Sequence, residues 1–406
     1  MASKKSHIST PVNDNPVFGM HEENTLVQFH DVMSRAEKGA LMADGHLGYV
    51  MPIGGVAAYR NRVSPVGVGF DIGCGNMAAK LDLKKDDLDL DHTLDFIEQR
   101  ISFGIGQTNP DAPRDHPLFD DPEWEAYGDK KLIADLKKLG RDQLGTVGSG
   151  NHYVDIFEDE SGYVWIGVHF GSRGLGHKTA SGFINLSLNR PWDVRTVEHE
   201  ALLDISTPLG DAYYNAMKLA GKYAWAGREW VCRTVTAGIG AEIIDTVHNN
   251  HNFAWKEKHG GEEYIVVRKG ATPAFPGQRG FVGGSMGDNS VILSGVDSER
   301  SRLALYSTVH GAGRVMSRTK AAGKFKGWGP KRKRISAGAI SEKMMHDWLK
   351  GKRVKLRGGG LDEAPQAYRR LNEVLGYHAD TVDILHVLKP LGVVMAGMDE
   401  FDPYKD

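Results

Sequence analysis

Glycine constrains this chain most. It supplies 50 of the 406 residues, about 12% against an average near 7%, and it gathers in short clusters rather than spreading as a linker. The clusters stand beside His, Asp, Asn, Ser and Arg, where a backbone must turn tightly or come close to a ligand. Each cluster therefore marks a candidate site loop on an otherwise ordinary globular chain. Lys+Arg number 50 against 52 Asp+Glu, net charge is −2, and 40% of residues are hydrophobic. That balance excludes a disordered tail protein and a uniformly basic nucleic-acid coat, so any polyanion must meet a local patch.

No repeat of 20–50 residues and no Ser/Pro linker divides the sequence, which predicts one continuous catalytic domain over residues 17–406 after a loose polar arm over 1–16. No run approaches the ~20 apolar residues of a membrane span, and Met1 to Pro16 lacks the apolar core of a secretory signal. The chain reads as soluble and cytoplasmic, with no membrane partner. Cys74 and Cys232 are the two cysteines. Two thiols in so long a chain read as reduced, and available as a ligand or nucleophile.

Periodicity predicts a helix over Leu26 to Lys38 and short strands with tight turns over Gly45 to Leu81. An amphipathic helix is expected over Lys84 to Arg100, and a proline-rich loop over Asn109 to Glu125. Tyr153 to Phe157 and Tyr163 to Val168 read as paired strands turned at Glu158 to Gly162. Long apolar periodicity predicts helices over Ala212 to Val235 and Ala241 to Lys258, with a β-rich block from Tyr264 to Leu305. Strands and helices are segregated, so the expected class is α+β: a single compact domain with a central mixed or antiparallel sheet region.

Three familiar signatures fail. Gly171 to Thr179 comes near a P-loop, but His177 occupies the Lys position. Glu198-His199-Glu200 opens like a zinc-protease helix, yet Leu203 stands where the second His belongs, leaving a solvated helix start. A lysine nucleophile beside an Asp-Gly pair is absent too, because Lys38 lies too far from Asp44-Gly45.

The chemistry gathers elsewhere. Phe70-Asp71-Ile72-Gly73-Cys74-Gly75 sets a carboxylate and a thiol three residues apart in a glycine loop. A hard and a soft ligand can point at one atom there, and a thiolate can bridge two cations. Taken alone, the motif equally fits a small buried Cys in a tight turn. Asn151-His152 follows a glycine run, His169 ends a strand before Gly171-Ser172-Arg173-Gly174, and His248 to Asn252 forms a polar break that includes His251. Three such sites with Asp71 and Cys74 supply enough ligands for a two-metal centre that shares one of them.

His310 precedes Gly311-Ala312-Gly313, with Arg314 and Arg318 four residues apart on what could be one helical face. Arg suits forked contacts with phosphate, so His310 reads as an imidazole beside bound phosphate, either as nucleophile or as a fourth metal ligand. Lys324, Lys326, Lys331, Arg332, Lys333 and Arg334, interrupted by Phe325 and Trp328, form a basic run. It reads either as a solvated loop or as a strip that holds a nucleic-acid backbone and stacks a base.

In these motifs the chain resembles the RtcB family of RNA ligases. The resemblance runs from Asp44-Gly45-His46-Leu47-Gly48 to the C-terminus through Asp71 to Gly75, Gly150-Asn151-His152, His169 to Gly174, Gly284 to Gly287, His310 to Arg314 and Asp362-Glu363-Ala364-Pro365. It implies the family's own α+β fold and an enzyme that joins RNA 3′-phosphate or 2′,3′-cyclic phosphate ends to 5′-hydroxyl ends, in tRNA splicing or RNA repair. It also implies two Mn2+, one on Asp71, Cys74 and His152 and one on Cys74, His169 and His251. His310 would take GMP from GTP. Asn151, Arg173 and Arg318 match phosphate-contacting or RNA-contacting positions, and Tyr153, Asp155, Ser285, Ser290, Gly311, Ala312, Gly313 and Tyr368 match the nucleotide pocket. An archease-like activator is an implied partner.

Three positions depart from the family pattern. Asp155 replaces a Glu that faces the base, Ala396 replaces a base-contacting Lys, and Asn250 replaces a His before the ligand matched by His251. The first two open the choice of GTP over another nucleotide. Two other readings of the same residues are a two-metal phosphohydrolase on RNA ends that never modifies His310, and an RNA-end-binding protein with a structural metal.

Overall fold

Two sheets organise the residues that the computed structural model describes, namely 9–12, 15–327 and 333–397. The first runs Ser9–Val12, Asn15–Val17, Lys38–His46, Ile53–Tyr59, Glu262–Lys269, Asn252–His259. The second runs Ile243–Asn250, Gly75–Lys84, Tyr163–Phe170, Tyr153–Glu158, Val382–Gly397, Ser290–Gly295, Arg279–Val282. Its neighbours are antiparallel, except that Lys355–Gly359 joins Val382–Gly397 in parallel. The outer strands of this second sheet approach each other. Arg279 forks onto Asp245 at 2.7 Å, and the Phe281 N–H donates to Asn249 Oδ1 at 2.8 Å, so the sheet nearly closes into a barrel.

Helices pack outside the sheets, giving the expected α+β class. The longest, Pro208–Ile239, begins where the Thr207 hydroxyl accepts the Gly210 N–H and a proline occupies the first turn. It ends at Gly240, whose φ of 76° is the left-handed cap. On its buried face Val231, Cys232 and Val235 join the core of Gly75–Lys84 and Tyr163–Phe170, while Tyr213, Met217 and Tyr223 join a separate core with Phe183. Cys232 on that face and Cys74 are both free and buried. No helix among the described residues is long and apolar enough to cross a membrane.

Several local expectations change. Ala241 to Lys258 is not helical; Ile243–Asn250 and Asn252–His259 are strands. Gly240 stops the preceding helix, and the β-branched Ile243, Ile244, Thr246 and Val247 suit the pleated surface they share with Gly75–Lys84. The Asn109 to Glu125 loop contains two 3₁₀ turns, Pro117–Asp120 and Pro122–Tyr127, each opening on a proline. Glu198 to Glu200 starts no helix; the Ser64 hydroxyl donates to Glu200 instead, at 2.6 Å. Within the stretch expected as a loose arm, Ser9–Val12 pairs with Asn15–Val17. In the basic run, Phe325–Lys326 pairs with Lys333–Arg334, while Trp328, Lys331 and Arg332 lie outside the described residues.

Candidate active site

Strand register assembles the site. In the second sheet Asn250 stands opposite Gly75, Gly75 opposite Phe170, and Tyr153 opposite His169. His251, Cys74, His169 and His152 therefore fall in a row along one rim of four adjacent strands, spaced by the ~4.8 Å between neighbours. His251 is also the residue at which the chain leaves the second sheet for the first, and its N–H donates to Cys74 O at 2.8 Å. Residues 177 positions apart in sequence become neighbours in this way.

The donor atoms converge as two triads, Asp71 with Cys74 and His152, and Cys74 with His169 and His251. Cys74 Sγ lies 3.3 Å from His169 Nε2 and 3.7 Å from His152 Nε2. Asp71 Oδ2 is 3.1 Å from His152 Nε2, and His169 Nε2 is 3.3 Å from His251 Nε2. The far nitrogens are held outward: His152 Nδ1 bonds Val147 O at 2.9 Å and His169 Nδ1 bonds Asn151 O at 3.1 Å. With a proton on His169 Nδ1, its Nε2 lone pair faces Cys74 and His251, an arrangement that a cation satisfies.

Electrostatics agree. Burial, reinforced by their histidine neighbours, pushes the imidazoles of His169 and His251 well below their ordinary range, so both are neutral and able to offer a lone pair to a cation. Burial opposes ionisation of Asp71, yet His152 and Arg173 together hold its carboxyl far below the usual range. Burial and the Asp71 charge push the Cys74 thiol up. A cation displaces that proton on binding. The mixed thiol, imidazole and carboxylate set thus fits a metal pair.

Glycine makes the close approach possible. A Cβ on Gly171 would stand 2.3 Å from Asp71 Oδ1, and one on Gly148, whose φ is 90°, would stand 1.8 Å from Arg173 Nη2.

His310 belongs to neither triad, although its ring centre is 5.0 Å from that of His251. Its Nδ1 lies 2.6 Å from Asp44 Oδ2, and the same oxygen accepts the N–H groups of His310 at 3.0 Å and Gly311 at 3.2 Å. Asp44 is fully buried. Burial raises its proton affinity, but the His310 ring and backbone N–H beside it hold the carboxyl below its usual range. A carboxylate fixed there keeps the proton on Nδ1 and turns the Nε2 lone pair away from it. Sequence reasoning gave Asp44 no role, and its only signal was the Asp-Gly-His motif.

One cavity of about 1240 Å3 joins these groups and takes in Asn151, Tyr153, Asp155, Arg173, Ser285, Gly311, Ala312, Gly313, Arg318 and Tyr368. Ser290 is not on its wall. The Ser290 hydroxyl accepts the Gly284 N–H at 3.0 Å and braces the loop that carries Ser285. Arg314 and Arg318 share no helical face, because the helix begins only at Arg318. They converge instead on Glu363, at 2.9 Å each. Tyr368 also hydrogen-bonds Glu363 and Arg314. Sequence reasoning missed Glu363, and it missed Lys269 on the cavity wall, whose ammonium donates to Val66 O at 2.8 Å. A lysine just after the apolar run Tyr264 to Val267, at the end of the strand Glu262–Lys269, was the available signal.

Comparison with known proteins gives the same address. The chain is 33% identical to the RNA-splicing ligase RtcB of Escherichia coli K12, over 86% of this chain and 88% of that protein. It is 28% identical to the tRNA-splicing ligase RtcB of Thermococcus kodakarensis, over 94% and 93%. It is also 31% identical to RNA-splicing ligase RtcB homolog 2 of Entamoeba dispar, over 88% and 80%. The family model described as tRNA-splicing ligase RtcB matches residues 26–396, and the chain belongs to the RtcB family.

Proposed function

We propose that this protein is a Mn2+-dependent RNA ligase that joins RNA 3′-phosphate or 2′,3′-cyclic phosphate ends to 5′-hydroxyl ends through a guanylyl-His310 intermediate. The observation that carries the reading is the placement of His310. Its Nδ1 is engaged by buried Asp44, 2.6 Å away, while the ring lines the cavity beside the donor triads but outside them. A carboxylate on the far nitrogen would orient a metal ligand and a nucleophile alike, so the position of the ring on the cavity wall and outside both donor triads is what favours the nucleophile.

In this reading Nε2 attacks the α-phosphorus of GTP, forming the N–P bond as the α–β P–O bond breaks and pyrophosphate leaves. The imidazolium charge that develops is balanced by Asp44. An oxygen of the RNA 3′-phosphate then attacks the same phosphorus, breaking the N–P bond and leaving a 3′-diphosphate bridge to guanosine. The 5′-hydroxyl attacks the RNA-side phosphorus and releases GMP. A cyclic phosphate is first opened by water. Asp71, Cys74, His152, His169 and His251 would hold two Mn2+, which when bound supply positive charge to the phosphate oxygens. Asn151, Arg173 and Arg318 orient the phosphates, and Tyr153, Asp155, Ser285 and Tyr368 receive the base. The same reading places the enzyme in the cytoplasm and includes an archease-like activating partner.

The test is incubation with Mn2+ and α-labelled GTP followed by denaturing electrophoresis. An acid-labile label that disappears in His310→Ala supports the reading. Phosphate release from RNA ends without any label supports the two-metal hydrolase instead.

A further inference from the structure

The wall of the cavity beyond the donor triads is a patch of two paired strands. Tyr153 stands opposite Met395 and Asp155 opposite Val393, and all four line the cavity. Each is more than nine-tenths buried. Three polar atoms of residues lining the cavity, Tyr153 Oη, Asp155 Oδ1 and Ser285 Oγ, have no hydrogen-bond partner among the described residues, and Ser285 is itself more than nine-tenths buried. Polar atoms so placed are rare unless a ligand completes them.

The carboxyl of Asp155 is the unusual member. Buried carboxylates are ordinarily matched by a cation or by several N–H donors. Here the nearby arginines are committed elsewhere: Arg314 and Arg318 pair with Glu363. The paired strand offers Val393, Met395 and then Ala396, none of which can donate from its side chain. Burial alone governs the carboxyl and pushes it well above the ordinary carboxylate range.

Resting on the function proposed above, we infer that Asp155 meets the base as a neutral carboxylic acid and that the pocket therefore accepts adenine as well as guanine nucleotides. The argument is one of donor and acceptor pattern. A carboxylate is acceptor-only, so it pairs with the two adjacent donors of guanine, N1–H and N2–H, and repels the adenine N1 lone pair. A carboxylic acid offers one O–H and one C=O side by side. That pair matches adenine, by O–H to N1 and C=O from N6–H, and matches guanine equally, by O–H to O6 and C=O from N1–H. Both purines then keep two hydrogen bonds, and the factor of about 10⁴ that a site gains by rejecting a base with a missing partner is lost. The apolar Met395 and Val393 contact either ring system alike.

The experiment separates base choice from the covalent step. The His310→Ala protein, which forms no adduct, is titrated calorimetrically with GTP and with ATP in the presence of Mn2+. The expected dissociation constants lie within about tenfold of each other, and Asp155→Asn, whose amide keeps one donor and one acceptor, preserves that ratio while Asp155→Ala weakens both nucleotides together. GTP binding more than 100-fold tighter than ATP overturns the inference, as does an Asp155→Ala protein that binds both nucleotides as before. Binding of neither nucleotide overturns it together with the function proposed above. In the wild-type protein, a covalent label from GTP but not ATP overturns the inference while leaving the proposed function standing.

Discussion

Replacing Asp44 with Asn isolates the step at which His310 acts. The amide oxygen of Asn can still accept the His310 and Gly311 N–H groups that Asp44 Oδ2 receives at 3.0 and 3.2 Å. The loop should therefore hold, with the melting temperature within a few degrees of wild type. What changes lies toward His310 Nδ1, 2.6 Å away. The amide oxygen at the Oδ2 position still faces Nδ1 and keeps the proton there, but the negative charge that balances the developing imidazolium is lost. Loss of a charged partner at a buried polar contact is worth roughly 1.5–3 kcal/mol, or about 10- to 150-fold in rate. Single-turnover guanylylation should accordingly fall by about 10- to 150-fold. Sealing of RNA already carrying a 3′-diphosphate guanosine bypasses His310 and should stay within a few-fold of wild type. Guanylylation at the wild-type rate, or equal loss in both assays, would refute the assignment.

Two further outcomes follow from the geometry. Gly171→Ala places a Cβ 2.3 Å from Asp71 Oδ1, so the carboxylate must move; metal content measured after gel filtration should drop while the circular dichroism spectrum stays native. Asp159 accepts the Trp165 indole N–H at 3.0 Å and lies 2.8 Å from Lys80 Nζ. Burial opposes its ionisation, but these partners hold its carboxyl down to about 2. A depressed acid contributes stability that is complete above its unfolded value near 4 and is lost as pH falls through 2. Allowing for screening around Lys80, that is about 1–2 kcal/mol. Denaturant titrations of wild type and Asp159→Asn should therefore differ by this amount at pH 6 and converge near pH 2; a constant gap would remove the ion pair as its cause.

Asp71, Cys74, His152 and His169 were legible as candidate ligands because each sits beside a glycine cluster at a strand end, a local pattern that needs no tertiary knowledge. Their grouping was not visible locally. His251 lay in a segment with helical periodicity, and only pairing with Gly75–Lys84 makes that segment a strand and brings residue 251 to Cys74. Asp44 and Glu363 escaped for a related reason. Asp44 is defined by contacts with a residue 266 positions away, and Glu363 by two arginines 45 and 49 positions upstream. The paired arginines were correctly tied to one site but by the wrong device, because a shared carboxylate holds them and not a shared helical face.

Asn250, where the resemblance leads one to expect a His, meets a buried arginine. Arg228 is fully buried beneath the rim that carries the candidate metal ligands. Its Nη1 donates to Gly73 O at 2.8 Å and to Phe170 O, its Nε to His248 Nε2 at 2.8 Å, and its Nη2 to Asn250 Oδ1. The carbonyls of Gly73 and Phe170 flank Cys74 and Gly171, so this one guanidinium fixes the strand ends that present the thiol and seat Asp71. At position 250 all it requires is an acceptor, which an amide oxygen supplies as well as a neutral imidazole nitrogen does. Asn250→His should therefore leave metal affinity within a few-fold. Arg228→Lys keeps the charge but not the fork, and should weaken affinity by about 10- to 100-fold, the usual scale for partners that orient metal ligands. Titration of metal-free protein with Mn2+ reads both. Equal affinities for all three proteins would show that the guanidinium does not set the rim. A large loss in Asn250→His would show that position 250 does more than supply an acceptor to Arg228.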